Sequence, residues 1–304
     1  MRLKLGRPDI SGYAGRFDVP AAGDGELSVT FLGVATLLVD DGSSAIMTDG
    51  FFSRPGLLDV GLRRIVPDPS RIDGCLERAG VTRLEAVLPV HTHYDHALDS
   101  AVVADRTGAT LLGGESAAQI GRGLGLSSER IRVADPGRPM TFGAYEITMI
   151  ESEHCPPDRF PGVIEEPLTP PAKAAAYKCG EAWSILVLHT SGRSLLVHGS
   201  AGHVEGALTG QQADVAYLGV GQLGLLDEEY LETYWRETVQ RTGAGRVVLI
   251  HWDDFFRPLT KPLRALPYAG DDLDHTMRVL TALADADGVT LSFPTVWRRE
   301  NPWR

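Results

Sequence analysis

Cysteine is scarce in this 304-residue chain: Cys75, Cys155 and Cys179 are the full set. They are too few and too scattered for a disulfide framework, and none belongs to a CxxC pair. Zinc-finger and thioredoxin chemistry are thereby excluded, and a reducing compartment fits best. Also lacking is any run of about 18 apolar residues that could cross a membrane. The opening MRLKLGRPDISGYAGRF carries early positive charge without the apolar stretch of a secretion signal, so the expectation is a cytoplasmic protein with no transmembrane segment. Positive charge is in deficit, 29 Lys+Arg against 40 Asp+Glu for a net charge of −11, which excludes a simple phosphate-tracking nucleic-acid binder. No GxSxG elbow and no GxxxxGKS/T loop is present, leaving serine-hydrolase and P-loop mechanisms without footing. There is no internal repeat at periods of about 20–50 residues, and no low-complexity linker. One domain over residues 1–304 is expected, with 1–25 as an N-terminal extension.

What is present is an ordinary globular mix, 43% apolar and 23% charged, able to bury a core. Short β-rich runs at 27–33, 34–39 and 44–48 predict a meander near the start, and 84–90 predicts a further strand. Apolar spacing over 98–107 predicts a helix ending at Gly108, followed by a strand at 109–112. Helical patterns return at 114–123, 227–242 and 272–285, while 143–150, 183–190, 193–198, 214–218 and 246–250 read as strands. Both element types alternate along the chain. Two segments resist regular structure: the proline-rich 154–173, within a loop region reaching 180, and 253–270. Loops of that length are commonly functional covers, and each of these begins at or just after a histidine, His154 and His251.

Three of the nine histidines fall within six residues, His91-Thr92-His93-Tyr94-Asp95-His96, directly after the strand 84–90. At this chain's own frequencies an HxHxDH match arises by accident in roughly one such chain in two thousand. A divalent ion needs three or more N, O or S donors converging at about 2 Å, and an irregular turn at a strand end can aim alternate side chains inward. His91 and His93 can share one ion, while Asp95 and His96 diverge from that pair and could meet a second, as two-metal hydrolytic sites require. Three imidazoles and a carboxylate packed together without a cation would carry a desolvation cost that nothing else in the segment offsets.

With its HxHxDH motif at His91, His93, Asp95 and His96, followed through FLGVATLLVDDG and MTDGFFSRP, the chain resembles the metallo-β-lactamase superfamily from about residue 26 to 293. The longer matches resemble the branch containing ascorbate-6-phosphate lactonase-like proteins and N-acylethanolamine phospholipase D. The resemblance implies an α+β fold, a four-layer αββα sandwich with metals held by loops along one edge of two sheets. It also implies that His154 completes the first ion's ligands, that His251 joins Asp95 and His96 on the second, and that Asp49 supports a ligand histidine by accepting an imidazole N–H. Where the family usually places a bridging aspartate, this chain has Ser200 in LLVHGSAGH. A serine hydroxyl is a poor divalent-metal ligand, so the second ion is weaker, or water alone spans both ions, or only one ion binds. His198 and His203 flank that position and are read as structural, as is the thiol of Cys155.

The resulting expectation is a zinc-dependent hydrolase, with Mn²⁺ or Fe²⁺ as alternatives and one or two ions. Metal-activated water would cleave an ester-type bond in a small molecule, and Asp95 would orient the water or relay its proton. The loop 253–270 offers Phe255, Phe256, Arg257, Lys261 and Arg264 as substrate contacts. Competing readings are an iron oxygenase resembling persulfide dioxygenases, and a catalytically degenerate member of the fold. The GxGxxG at 219–224 suggests a dinucleotide site, but no acidic residue ends the following strand, and a glycine-rich turn beside the metal edge is the better reading.

Overall fold

Alternation of side chains along short apolar strands sets the architecture. In a computed structural model describing residues 4–304, the strands are β1 (Ser28–Phe31), β2 (Leu37–Asp40), β3 (Ala45–Thr48), β4 (Ala86–Leu88), β5 (Thr110–Gly113), β6 (Ile131–Val133) and β7 (Met140–Phe142). They continue with β8 (Tyr145–Ser152), β9 (Ala182–His189), β10 (Ser194–His198), β11 (Val215–Gly219), β12 (Arg246–Ile250), β13 (Thr290–Ser292) and β14 (Arg299–Glu300). The first sheet runs β14-β1-β2-β3-β4-β5-β6 and the second β13-β12-β11-β10-β9-β8-β7. Residues 1–3 of the expected N-terminal extension lie outside the described residues.

Leu37, Val39, Ile46, Ala86 and Leu88 of the first sheet share a core with the second. Their neighbours Leu38, Met47 and Val87 point the other way, as the two-residue period of a strand requires. Behind the first sheet lie α1 (Leu57–Leu62), α2 (Pro69–Arg78), the single turn α3 (Tyr94–Ala97), α4 (Ser100–Thr107) and α5 (Glu115–Gly123), with α4 against β4 and β5 and α5 against β5 and β6. Behind the second, α6 (Glu228–Trp235) packs on α7 (Leu273–Asp287). This is the expected four-layer αββα sandwich. Beyond the expected elements it contains α2, whose Asp68 cap accepts the Arg71 N–H ahead of Pro69, a favoured helix opening. The expected helix 227–242 is α6 followed by a π turn over Arg236–Gln240.

Strands β3, β4, β5 and β6 run parallel, as do β10, β11, β12 and β13. Two antiparallel pairings, β8 with β9 and β9 with β10, give β8 the direction of β10. The carboxyl ends of β3, β4, β8, β10 and β12 therefore open on one edge of the sandwich, where α/β sheets generally receive ligands.

Candidate metal centre

Each expected donor sits just past one of those strand ends. After β4 the backbone N–H of Val90 donates to Asp49 Oδ1 (2.9 Å), and that of Thr92 donates to the Cys179 carbonyl (2.8 Å), so the turn carrying His91 and His93 is fixed from both sides. His93 then caps α3, whose first turn carries Asp95 and His96. His154 follows β8. His251 follows β12 with φ +57°, a costly conformation for a non-glycine residue, and its N–H donates to the Val34 carbonyl of the first sheet (2.7 Å).

Two triads result, His91–His93–His154 and Asp95–His96–His251, each with donor atoms within 4.8 Å of one another. His91 Nε2 and His93 Nδ1 are 3.1 Å apart. His96 Nε2 and His251 Nε2 are 3.2 Å apart, with Asp95 Oδ2 at 3.5 Å from His251 Nε2. The His91 and His96 rings, centroids 4.0 Å apart, join the triads. His96 Nδ1 donates to Asp49 Oδ2 (2.7 Å) and His154 Nδ1 to the Cys155 carbonyl (2.7 Å), leaving Nε2 of each free to face inward. Such outward hydrogen bonds set tautomer and ring orientation in metal sites.

Burial, then the neighbouring imidazoles, push His91 far below the ordinary imidazole range. Burial and His93 push His154 down to about 4. Burial also lowers His96, but Asp49 and Asp95 outweigh it and leave that ring raised. Asp95 is raised by burial and lowered more by His96 and His251, so its carboxyl lies well below the usual range. His91, His93 and His154 are thus biased to the neutral imidazole and Asp95 to the ionised carboxylate, the states in which these groups bind metal. The buried Nδ1 atoms of His91 and His251 lack hydrogen-bond partners. The five nitrogens and one carboxylate fit a borderline divalent ion such as zinc, manganese or iron.

Ser200 Oγ accepts the backbone N–H of Cys155 (3.0 Å) and so braces the turn carrying His154. His198 is buried between Ser184 Oγ (2.7 Å) and the Gly202 carbonyl (2.5 Å). The GxGxxG segment is a packing turn: a Cβ on Gly219 would stand 2.3 Å from the Gly199 carbonyl oxygen, and one on Gly221 2.7 Å from His251 Nδ1.

The edge opens into a cavity of about 670 Å³ that reaches His93, Asp95, His154, Ser200 and His251. Phe255 and Phe256 line it, as does Arg264, which pairs with Asp254 (2.8 Å). Arg257 and Lys261 do not line it: the Arg257 guanidinium donates to the Pro262 carbonyl (2.9 Å), and Lys261 is exposed. Arg7, Tyr94, Arg159, Phe160 and Gln222 are further wall residues that the sequence reading did not name. Arg159 and Phe160 lie in the loop already marked as a cover. Arg7 had no local signal, because it reaches the wall only by the N-terminal segment folding back, its guanidinium on the Ala265 carbonyl (2.6 Å).

No protein-family model and no curated protein sequence matches the chain. Solved structures do. Igni18, described as a novel metallo hydrolase from the archaeon Ignicoccus hospitalis, is 15% identical with a TM-score of 0.51 over 90% of this chain and 96% of its own. The metallo-β-lactamase fold protein YhfI from Bacillus subtilis is 14% identical with a TM-score of 0.50 over 90% and 97%. CmlA, a diiron β-hydroxylase from Streptomyces venezuelae, is 14% identical with a TM-score of 0.57 over 92% of this chain and 54% of its own. What these proteins share with the chain is the metallo-β-lactamase fold.

Proposed function

We propose that this chain is a metal-dependent hydrolase that cleaves an ester-type bond, a lactone, phosphodiester or related linkage, in a small molecule. The observation that carries the reading is the convergence of two buried donor triads on one strand-end edge that opens into a cavity. His91, His93 and His154 hold the first ion; Asp95, His96 and His251 hold the second. Bound zinc, or manganese or iron, supplies Lewis acidity and a water ionised near neutral pH. Asp95 faces the cavity, where its carboxylate would orient the attacking water or relay its proton. Asp49 keeps His96 in the tautomer that binds, and Phe255 and Phe256 receive the apolar part of the substrate.

The segments FLGVATLLVDDG and MTDGFFSRP support a place in the branch of ascorbate-6-phosphate lactonase-like and N-acylethanolamine phospholipase D-like proteins. We further propose one hydrolase domain, with 154–180 and 253–270 as its active-site loops, working in the cytoplasm. Free Cys75, Cys155 and Cys179 support a reducing compartment, and no described helix is long and apolar enough to cross a membrane.

A second reading, iron-dependent oxygenase chemistry, is favoured by one observation: Asp95, His96 and His251 form a two-histidine, one-carboxylate set, a pattern used by non-haem iron oxygenases. Elemental mass spectrometry on protein purified without chelator, combined with a panel of lactones and phosphodiesters, separates the two. Zinc or manganese with hydrolysis is expected. His93→Ala and His251→Ala should each lose an ion and more than about 100-fold in hydrolysis, since even outer partners of ligands are worth 10–100-fold. Metal content and hydrolysis both unchanged in these variants would overturn the ligand assignment, while bound iron with oxygen uptake and no hydrolysis would establish the oxygenase.

A further inference from the structure

The loop that follows His154 turns back on the HxHxDH segment. Asp158 Oδ1 accepts the backbone N–H of Phe160 (2.9 Å), which fixes its carboxylate, and the same oxygen lies 3.1 Å from His93 Nε2. The Phe160 carbonyl lies 3.4 Å from that nitrogen and is itself held by the Cys179 N–H (2.8 Å). Both groups facing Nε2 are acceptors, so the ring proton resides there, and Nδ1 carries the lone pair. Nδ1 is the atom turned toward His91 Nε2. The His93 side chain is 7% exposed and Asp158 22%, enough burial for the carboxylate's pull on that proton to be only partly screened by water.

Cys179 stands with Asp158 and His93 in a third group of possible donors. Burial raises its thiol far above the ordinary range. The Cys179 N–H on the Phe160 carbonyl and the Phe160 N–H on Asp158 tie these residues into a brace against the His93 ring. Its charge also matters: with Ser200 where a carboxylate is usual, Asp95 is the one anionic donor among the six. Asp49 behind His96 and Asp158 behind His93 place one further negative charge behind each triad.

Resting on the reading of the site as a metal centre, we propose that Asp158 is a positioning residue. Its carboxylate, beside the Phe160 carbonyl that faces the same nitrogen, favours the proton on His93 Nε2, so that Nδ1 would be presented to the first ion. The loop wall of the cavity, Arg159 and Phe160, is thereby tied to ion retention.

The test is zinc affinity by competition with a chromophoric chelator, measured on wild type, Asp158→Ala, Asp158→Asn, His93→Ala and the double Asp158→Ala/His93→Ala. Loss of the carboxylate should weaken the tightest ion by about 10–100-fold, the usual effect of removing a ligand's outer partner. Asn, which keeps a carbonyl acceptor, should lose less. In the His93→Ala background, Asp158→Ala should add less than about 2-fold, because coupled residues are not additive. Long-range ¹H–¹⁵N spectra of metal-free protein should show His93 as the Nε2–H tautomer in wild type and Asp158→Asn, and mixed tautomers in Asp158→Ala. Wild-type affinity in Asp158→Ala, or the same loss with and without His93, would overturn the proposal. Should His93→Ala itself keep wild-type zinc binding, the metal reading would be the one to fail. Should Asp158→Ala not fold, Asp158→Asn with its spectrum decides: a wild-type tautomer with intermediate affinity supports the proposal, and a Nδ1–H tautomer overturns it.

Discussion

His96 gives its outward proton to Asp49, His154 to the Cys155 carbonyl and His93 to the Phe160 carbonyl beside Asp158; the cluster is organised by where each proton is kept. A different buried acid shows the opposite situation. Asp271 Oδ1 accepts the Gly224 N–H (3.1 Å), but Oδ2 has no partner. Burial raises its pKa to about 7 despite the opposing backbone N–H donors. An unfolded aspartate titrates near 3.9, so between roughly pH 4 and 7 the unfolded chain has released a proton that the folded chain keeps, and stability falls as pH rises across that window. The loss is on the order of 4 kcal/mol at most over the whole window. Asp271→Asn should flatten it, and urea unfolding at pH 5 and pH 8 checks this; parallel changes in both proteins would mean that the native carboxyl is ionised. At this scale much of the centre was legible. All six donors named from spacing and resemblance fall into the two triads, because the ligand segments are compact or mark strand ends. Asp158 was not legible: an aspartate in a proline-rich loop has no periodicity, and its partner lies 65 residues earlier, a pairing only tertiary folding creates.

At the level of elements, the segment after β3 acts as a hub. Asp49 supports His96, Phe51 N–H donates to Thr36 Oγ1 (3.0 Å), and Asp99 takes N–H bonds from Phe52 and Ser53 (2.7 and 2.6 Å). Arg54, fully buried, pairs with fully buried Asp253, whose other oxygen accepts the Val34 N–H (2.8 Å). This pair locks the loop after β3 to the loop after β12. Arg54→Met leaves Asp253 buried without a counter-charge and should cost about 3–5 kcal/mol, with Arg54→Met/Asp253→Asn recovering a substantial part. Urea unfolding of the two variants measures it, and a loss below about 1 kcal/mol, the range of a surface pair, would show that water reaches the carboxylate. Strands β1 to β5 and β8 to β12 were readable because their apolar runs are bounded by Gly, Asp and Ser, whereas β6, β7, β13 and β14, two or three residues each, are too short to show a period. Helix α2 escaped because its buried side chains are only Ile72 and Leu76, too sparse a stripe to register, although Asp68-Pro69 marked its start.

For the whole molecule, the donors are divided between the sheets: four follow β4 in the first, while His154 and His251 follow β8 and β12 in the second. An ion held by either triad would therefore be a clamp across the sandwich, and binding that favours the native state stabilises it. At a free concentration 100 times the dissociation constant the gain is about 2.7 kcal/mol, which for 304 residues is about 4 °C in melting temperature. Thermal melts with added zinc and with a chelator should differ by about that amount. Coincident melts would mean that no ion contributes to the folded state. The sandwich itself was legible only through the family resemblance carried by HxHxDH, FLGVATLLVDDG and MTDGFFSRP; the alternation of elements by itself marked no more than a mixed α and β chain. The return of the N-terminal segment to the cavity wall through Arg7 was not, because its reason lies in residues more than 240 positions away.

Strand β14 is where synthesis and architecture meet. It pairs with β1, Val29 opposite Glu300 and Thr30 opposite Arg299, so the first sheet is closed by residues translated long after β1. Until then β1 presents an open edge, a template for pairing with a neighbouring chain, while the HxHxDH segment waits for His154 and His251 to arrive. Edge closure and assembly of the donor triads both wait on segments translated later. A chain stopped short of β14 is thus adhesive at β1, and chaperone protection matters most until β14 has emerged.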